Sequence, residues 1–164
     1  MKKSVMVILF ACLLIVVGGC NKKQEIKKEE MKVTSTEIYD MNEEFHKEGL
    51  KTVLEYSEGD YQVIYTVYIP LDENRDFDKS VNSIVNVDVK KGTETVASNT
   101  PKIGEADATL TMEDEKNIRL HSEFDVIQNN KVVLEVRDDV KLNFEKESDT
   151  YKVTISEWSN DIKQ

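Results

Sequence analysis

Apolar and polar residues alternate one for one along most of the chain from residue 61 onwards. In the stretch YQVIYTVYIP at 61–70 every second residue is large and apolar, until Pro70 ends the run because proline cannot donate to a strand ladder. The same period of two recurs, with polar turns between the runs, at 85–89, 95–99, 108–112, 118–126, 132–136, 140–144 and 151–155. This period places one side of each strand in a core and the other in water. The pattern therefore predicts about eight antiparallel strands.

The strand spacing predicts a mainly β domain: a single antiparallel β-sandwich, immunoglobulin-like, or a barrel. The charged triplet at 137–139 is predicted as a turn or bulge that divides two of the strands. Upstream, residues 40–49 predict one short helix, since Asp40 is a good N-cap and Glu43 follows three residues later as in a capping box. The alternative is an α+β cystatin-like cone, in which that helix packs into a curved sheet.

The first twenty residues have a different composition. Lys2 and Lys3 precede thirteen apolar residues, Val5 to Val17, and a pair of glycines then leads to Cys20. A membrane-spanning helix needs ~20 apolar residues, so this run is short for a permanent span. Positive charge, then ~7–15 apolar residues, then small residues form the pattern of a secretory signal peptide.

The motif Val17-Gly18-Gly19-Cys20 resembles the lipobox of bacterial lipoproteins. The resemblance implies that residues 1–19 are a signal peptide that is removed, and that Cys20 receives a diacylglyceryl lipid on its sulfur. Cys12 would leave with the signal peptide. The mature protein would then be anchored to the cell membrane through lipid and would face outside the cytoplasm. Two acyl chains on one cysteine supply the strength that stable attachment requires.

The distribution of charged residues separates the chain after residue 19 into a short tether and one acidic domain. Residues 20–31 combine the cysteine with a charged tether that has too little apolar surface to order itself, and 32–164 form one acidic domain. After Cys20 the chain has 20 basic against 32 acidic residues, a net charge of −12. The field of such a domain repels nucleic acid and anionic lipid, and it favours cations and basic protein surfaces. We therefore expect no nucleic-acid partner.

One acidic loop has the partial pattern of a calcium site. Asp72, Asn74 and Asp76 occupy positions 1, 3 and 5 of an EF-hand-type loop, and Asp78 occupies position 7. The glycine and the glutamate that such a loop needs at positions 6 and 12 are missing, and a cation, Arg75, lies inside it. The sequence favours a solvated connection between strands, with these four residues as a weak calcium candidate.

Tyr68 is the candidate partner-binding residue. Tyr61 and Tyr65 fall on the predicted core face of their strand, whereas Tyr68 falls on the opposite face. An aromatic ring in that position either anchors a partner or pairs with a residue on a neighbouring strand. We favour the second interpretation and identify Tyr68 as the residue to test.

The sequence contains no catalytic motif that we recognise. There is no G-x-S-x-G elbow and no phosphate-binding glycine loop, and no cysteine follows Cys20. His46 and His121 lack metal-ligand spacing, and the carboxylate pair Asp138 and Asp139 falls in a predicted turn.

These features favour a non-catalytic binding or accessory module for a protein or a cell-wall component, without a cofactor. One alternative is a small-ligand carrier, which predicts an apolar interior cavity. The other is an envelope-acting hydrolase or inhibitor, which predicts convergent polar groups in a cleft.

Overall fold

The computed structural model describes residues 29–42, 47–100, 104 and 106–160. Nine β-strands run through these residues: β1 (Lys32–Asn42), β2 (Lys47–Glu58), β3 (Tyr61–Pro70), β4 (Ile84–Lys91), β5 (Glu94–Ser98), β6 (Ala108–Met112), β7 (Asn117–Gln128), β8 (Lys131–Glu147) and β9 (Thr150–Asn160). Strands β1 to β5 form one antiparallel sheet, sheet I, and strands β6 to β9 form a second, sheet II. This arrangement confirms the predicted β-sandwich class. Within the described residues, no helix is long and apolar enough to cross a membrane.

The strand order is that of an up-and-down meander. Each described strand pairs with its neighbour in sequence, and the chain passes from sheet I to sheet II once, between β5 and β6. Immunoglobulin domains use Greek-key connections instead. The sandwich prediction therefore holds, while the connectivity differs from the immunoglobulin-like order.

The core lies between the two sheets and is filled by the residues that alternate inward. Val63, Tyr65, Val67 and Ile69 of β3 are fully buried, and Leu120 and Leu142 approach from sheet II. These side chains belong to one contiguous cluster of buried apolar residues. Burying a Val, Leu, Ile or Phe side chain stabilises the fold by about 1.5–3 kcal/mol relative to leaving it exposed.

Strands β1 and β2 occupy both ends of the segment predicted as a helix. Residues 40–42 end β1, residues 47–49 begin β2, and Asp40 pairs with Glu48. The helix prediction is wrong for these residues, and its centre, 43–46, lies outside the described residues. These residues form strands because β2 buries Leu50, Leu54 and Tyr56 in the core and pairs with β3 from Gly49 to Glu58.

Strand β8 continues through the triplet predicted as a turn. It is one strand of 17 residues, and Asp138 lies near its middle with its side chain fully buried. Asp138 keeps the inward alternation of Val136 and Val140 on either side of it. The turn prediction at 137–139 is therefore wrong.

The connection between β3 and β4, residues 71–83, folds back over one end of the sandwich, and we call it the cap loop. A bridge pairs Leu71 with Phe77. The buried Phe77 ring lies 5.3 Å from the Phe144 ring and 5.4 Å from the Tyr151 ring, both in sheet II. The cap loop thus links sheet I to sheet II.

Candidate functional site

Carboxylates within the cap loop bind the loop's own backbone. The Oδ1 atom of Asp72 accepts hydrogen bonds from the backbone N–H groups of Asn74, at 2.8 Å, and Asp76, at 2.9 Å. The Oδ1 atom of Asp78 accepts one from the N–H of Ser80 at 2.9 Å. Aspartate commonly stabilises tight turns in this way. The acidic residues therefore give the loop a defined shape.

The four calcium candidates do not converge on a common centre. Asp72 faces its own backbone, whereas Asp76 Oδ1 lies 2.8 Å from Lys146 Nζ. The carbonyl oxygen of Asn74 accepts a 2.6 Å hydrogen bond from the same ammonium group. Across the described part of the chain, no group of three or more His, Cys, Asp or Glu side chains is arranged to hold a metal ion.

Arg75 fastens the cap loop to both sheets. It adopts a left-handed backbone conformation, φ +58°, and its guanidinium donates to Glu48 of β2 at 2.7 and 2.9 Å. Its carbonyl oxygen accepts a 2.7 Å hydrogen bond from the Tyr151 hydroxyl of β9. The hydrogen bond from Arg75 lowers the pKa of Glu48, and burial, with added repulsion from Asp76 and Asp72, raises the pKa of Tyr151 to about 12.

A cleft of about 320 Å³ lies between the cap loop and the turns of sheet II. Three lysines line it: Lys79 from the cap loop, Lys116 from the β6–β7 turn and Lys146 from β8. The rest of the lining consists of three aromatic residues and two acids: Phe77, Phe144, Tyr151, Asp76 and Glu115. Lys79 Nζ lies 4.0 Å from a Glu115 carboxylate oxygen, whereas Lys116 forms no ion pair with another described residue. We call this space the lysine cleft.

Asp114 fixes the backbone that presents Lys116. Its Oδ1 atom accepts hydrogen bonds from the N–H groups of Lys116, at 2.7 Å, and Asn117, at 2.8 Å. The bond from the Asn117 side chain to Oδ2, followed by the one from Lys116, holds the pKa of Asp114 below its usual value. The carboxylate therefore stays ionised and keeps the turn closed.

A second cleft, of about 370 Å³, adjoins the first. Val81, Leu110 and Met112 line its walls, and Ile118 lies buried beneath them. Lys79 lines both clefts, and we call the two neighbouring clefts together the cap-loop groove. The lining of the groove combines apolar side chains and three lysines with four acidic residues: Asp76, Glu113, Asp114 and Glu115.

A buried carboxylate network lies in the core, separate from the groove lining. Asp138 Oδ2 accepts hydrogen bonds from the hydroxyls of Tyr56, at 2.8 Å, and Tyr65, at 2.6 Å. Asp138 Oδ1 accepts from Trp158 Nε1, at 3.0 Å, and Asn160 Nδ2, at 3.2 Å. Burial, followed by the charge of Asp138, raises the pKa of both tyrosines, so both remain donors at neutral pH. Each oxygen of the Asp138 carboxylate thus accepts hydrogen bonds from two side-chain donors. Because these bonds satisfy the buried carboxylate, we assign the network a structural role.

The remaining predicted site residues lie away from the groove or outside the described residues. Tyr68 lies half-buried on the outer face of sheet I, with its ring 5.4 Å from that of Tyr39 on β1. The two rings contact each other across β2, which lies between β1 and β3. His121 is exposed on β7. Cys20 and His46 lie outside the described residues.

Sequence reasoning missed the groove lysines and the burial of Asp138. Lys79, Lys116 and Lys146 belong to distant parts of the chain, and no spacing pattern connects them. Asp138 did have a sequence signal, because the alternation of Val136, Asp138 and Val140 continues through the charged triplet.

Comparisons of this chain with known protein families, with curated proteins and with solved structures find no match. The geometry of the groove is therefore the basis for a functional proposal.

Proposed function

We propose that this protein is a cell-envelope lipoprotein whose β domain acts as a non-catalytic binding module, with the cap-loop groove as its binding site. The signal-peptide pattern and the lipobox-like motif ending at Cys20 support the anchor. Lipid on that cysteine would hold the domain at the membrane, facing outside the cytoplasm. The partner is a protein or a cell-wall component.

The observation that carries this proposal is the position of the groove relative to the start of the domain. The N–H of Glu29 donates to the Ser57 carbonyl at 2.9 Å, so the chain enters beside the last residues of β2. The cap loop binds the opposite end of β2 through Glu48. At ~3.3 Å per residue, β2 separates Glu48 from Ser57 by about 30 Å. An anchor that precedes Glu29 therefore leaves the groove at the far end, accessible to a partner.

The chemistry of the groove favours an extended protein segment that has an apolar side chain and a carboxylate. Val81, Leu110 and Met112 offer an apolar contact surface. Lys116, which has no ion partner among the described residues, offers a positive charge in a domain whose residues 31–164 include 16 basic and 29 acidic side chains. A local positive charge in an acidic field discriminates among partners more than it adds affinity.

The two rival functions have less support. A small-ligand carrier requires an apolar cavity inside the sandwich, whereas side chains of one contiguous cluster occupy the space between the sheets. A hydrolase requires polar groups that converge at an accessible point. The carboxylate with the most convergent donors, Asp138, is fully buried and is bound by four side chains.

The test is photo-crosslinking in intact cells, followed by purification of the protein and identification of what is attached. A photoreactive phenylalanine analogue replaces Val81 in the groove, and the same analogue at the exposed Thr154 of β9 is the control. We expect one dominant adduct from position 81 and none from position 154. Equal adducts at both positions, or none at either, would contradict the proposal.

Charge reversal tests the lysine cleft separately. Lys116→Glu should reduce the adduct at least tenfold, because it places a second negative charge beside Glu115 where the partner's carboxylate binds. Lys152→Glu makes the same charge change on an exposed residue of β9 outside the groove lining and should leave the adduct unchanged. An adduct that contains wall polymer and no protein would assign the groove to a wall component instead.

A further inference from the structure

The β7–β8 hairpin extends beyond the strands on both sides of it. Strand β6 pairs with β7 only at 118–122, and β9 pairs with β8 only from Asp138 onwards. Among the described residues, 123–137 therefore form a two-stranded ribbon. Four inward side chains of the ribbon are buried: Phe124, Val126, Leu134 and Val136. Because these side chains are part of the buried core, the ribbon is held in place against the sandwich, and so is its tip.

The tip of the ribbon exposes two large apolar side chains. Ile127 and Val132 lie opposite each other, and their side chains are 51% and 50% exposed. A register shift between Val126 and Ile127 accompanies this exposure at the end of the hairpin. Lys131 follows the turn and is exposed beside them. Single exposed apolar residues are ordinary, but two that face each other at a projecting tip form a contact surface.

The tip lies at the same end of the domain as the entering chain. Glu29 bonds to Ser57, which pairs with Gln62 in the β2–β3 hairpin. The Tyr61 hydroxyl of that hairpin donates to Gln128 Oε1 at 3.3 Å, directly before the turn of the ribbon. The Lys91 ammonium lies 5.2 Å from the Tyr61 ring centroid, which brings the β4–β5 turn to the same place. We call this end of the sandwich the entry end.

The chain outside the structure sets how far the entry end lies from Cys20. Residues 21–28 separate Cys20 from Glu29. At ~3.5 Å per residue, eight residues span about 30 Å at most. A lipid on Cys20 would therefore hold the entry end close to the bilayer.

We infer that the ribbon tip rests on the lipid surface, with Ile127 and Val132 among the headgroups and the upper acyl chains. The inference depends on the lipid attachment proposed above. The net charge of the domain repels anionic lipid, so apolar insertion supplies the attraction and the contact does not require anionic headgroups. The charge at this end is mixed, since Lys131 and Lys91 lie there together with the exposed Asp60 and Glu94 of the neighbouring turns. Contact at the tip would fix the domain with the cap-loop groove pointing away from the membrane.

The experiment uses the lipoprotein purified from membranes and reconstituted into phosphatidylcholine vesicles that contain a lipid with a doxyl quencher near the headgroup. A polarity-sensitive fluorophore is attached to Ile127→Cys, and Val81→Cys in the groove is the matched control, since Val81 is also apolar and exposed. We expect the label at 127 to emit at shorter wavelength and to be quenched several-fold more strongly than the label at 81.

Three outcomes separate the inference from its premise. Protein that floats with the vesicles but shows equal quenching at both positions would overturn the inference and leave the anchor intact. Protein that fails to float would overturn the anchor itself. A label at 127 that becomes apolar without doxyl quenching would mean that protein covers the tip, which also overturns the inference.

Discussion

Tyr65 of sheet I donates a 2.6 Å hydrogen bond to Asp138 of sheet II, and this bond crosses the core of the sandwich. Tyr56, Trp158 and Asn160 complete the set of donors around the same carboxylate. Asp138 and its four donors come from β2, β3, β8 and β9. A buried carboxylate is costly unless donors satisfy it, so the network favours one relative position of the two sheets.

Replacing Asp138 with asparagine should destabilise the protein although the two side chains have nearly the same size. The amide nitrogen of asparagine donates and cannot accept, so it would face two donors and leave them unpaired. We expect a loss of about 2–4 kcal/mol in the free energy of unfolding, measured by urea denaturation. The neighbouring Asp139→Asn is the control, because Asp139 is partly exposed in an ion pair with Arg119 and should cost less than about 1 kcal/mol. Equal losses would contradict the role of the network.

The tyrosine hydroxyls in the core predict a loss of stability at high pH. The folded-state pKa values of Tyr56 and Tyr65 are raised above the unfolded value of about 10, so their contribution is complete below pH 10 and is lost above it. The free energy of unfolding should fall by about 1.4 kcal/mol per pH unit for each tyrosine that stays protonated in the folded state. Urea denaturation between pH 9 and about 11.5 measures this slope, and Tyr65→Phe should make it shallower.

Absorbance of the phenolate provides the complementary measurement. The chain contains six tyrosines. We expect some of them to ionise only when the protein unfolds, at a pH above their ordinary range. Ionisation of all six near pH 10, before any change in circular dichroism, would contradict the burial of Tyr56 and Tyr65.

Calcium should leave the thermal stability nearly unchanged. Asp72 and Asp78 bind backbone N–H groups, and Asp76 pairs with Lys146, so a cation would have to displace contacts that already satisfy the loop. The melting temperature, measured by calorimetry with millimolar calcium and with a chelator, should differ by less than about 1 °C. A rise of several degrees that Asp76→Ala abolishes would restore the calcium hypothesis.

Substitution of Cys20 tests the anchor. Cys20→Ala should release the protein from the membrane fraction or leave it unprocessed, because no other residue would receive the lipid. Cell fractionation and the mass of the mature N-terminus distinguish these two results. Lipid-dependent retention of the alanine variant would show that the protein is anchored elsewhere.

Period-two alternation was enough to predict most of the strands, because burial on one face outweighs local preferences over five or more residues. It failed at residues 40–42 and 47–49, where capping residues suggested a helix although these residues belong to the paired strands β1 and β2. It failed again at Asp138, since three consecutive charged residues resemble a turn when their contacts are unknown. Asp138 is accommodated by Trp158 and Tyr56, which the sequence does not identify as its neighbours.

The cap-loop groove was beyond sequence reasoning for a different reason. Lys79, Lys116 and Lys146 meet only after the cap loop crosses from sheet I to sheet II. The acidic residues that suggested calcium have a related role, because Asp72 shapes the loop that presents Lys79. The sequence favoured a solvated loop with a weak calcium candidate at this segment, and the structure shows there a backbone hydrogen bond to Asp72 and an ion pair between Asp76 and Lys146.

The meander places the last donors to Asp138 in the last strand. As the chain is synthesised from its N-terminus, the hairpins of sheet I can form early, since each strand pairs with its neighbour in sequence. Asp138 of β8 lacks half of its donors until Trp158 and Asn160 of β9 have been made. A copy that stops short of β9 thus keeps a carboxylate with only its two tyrosine donors where the core should close, and such an incompletely folded chain is open to proteolysis.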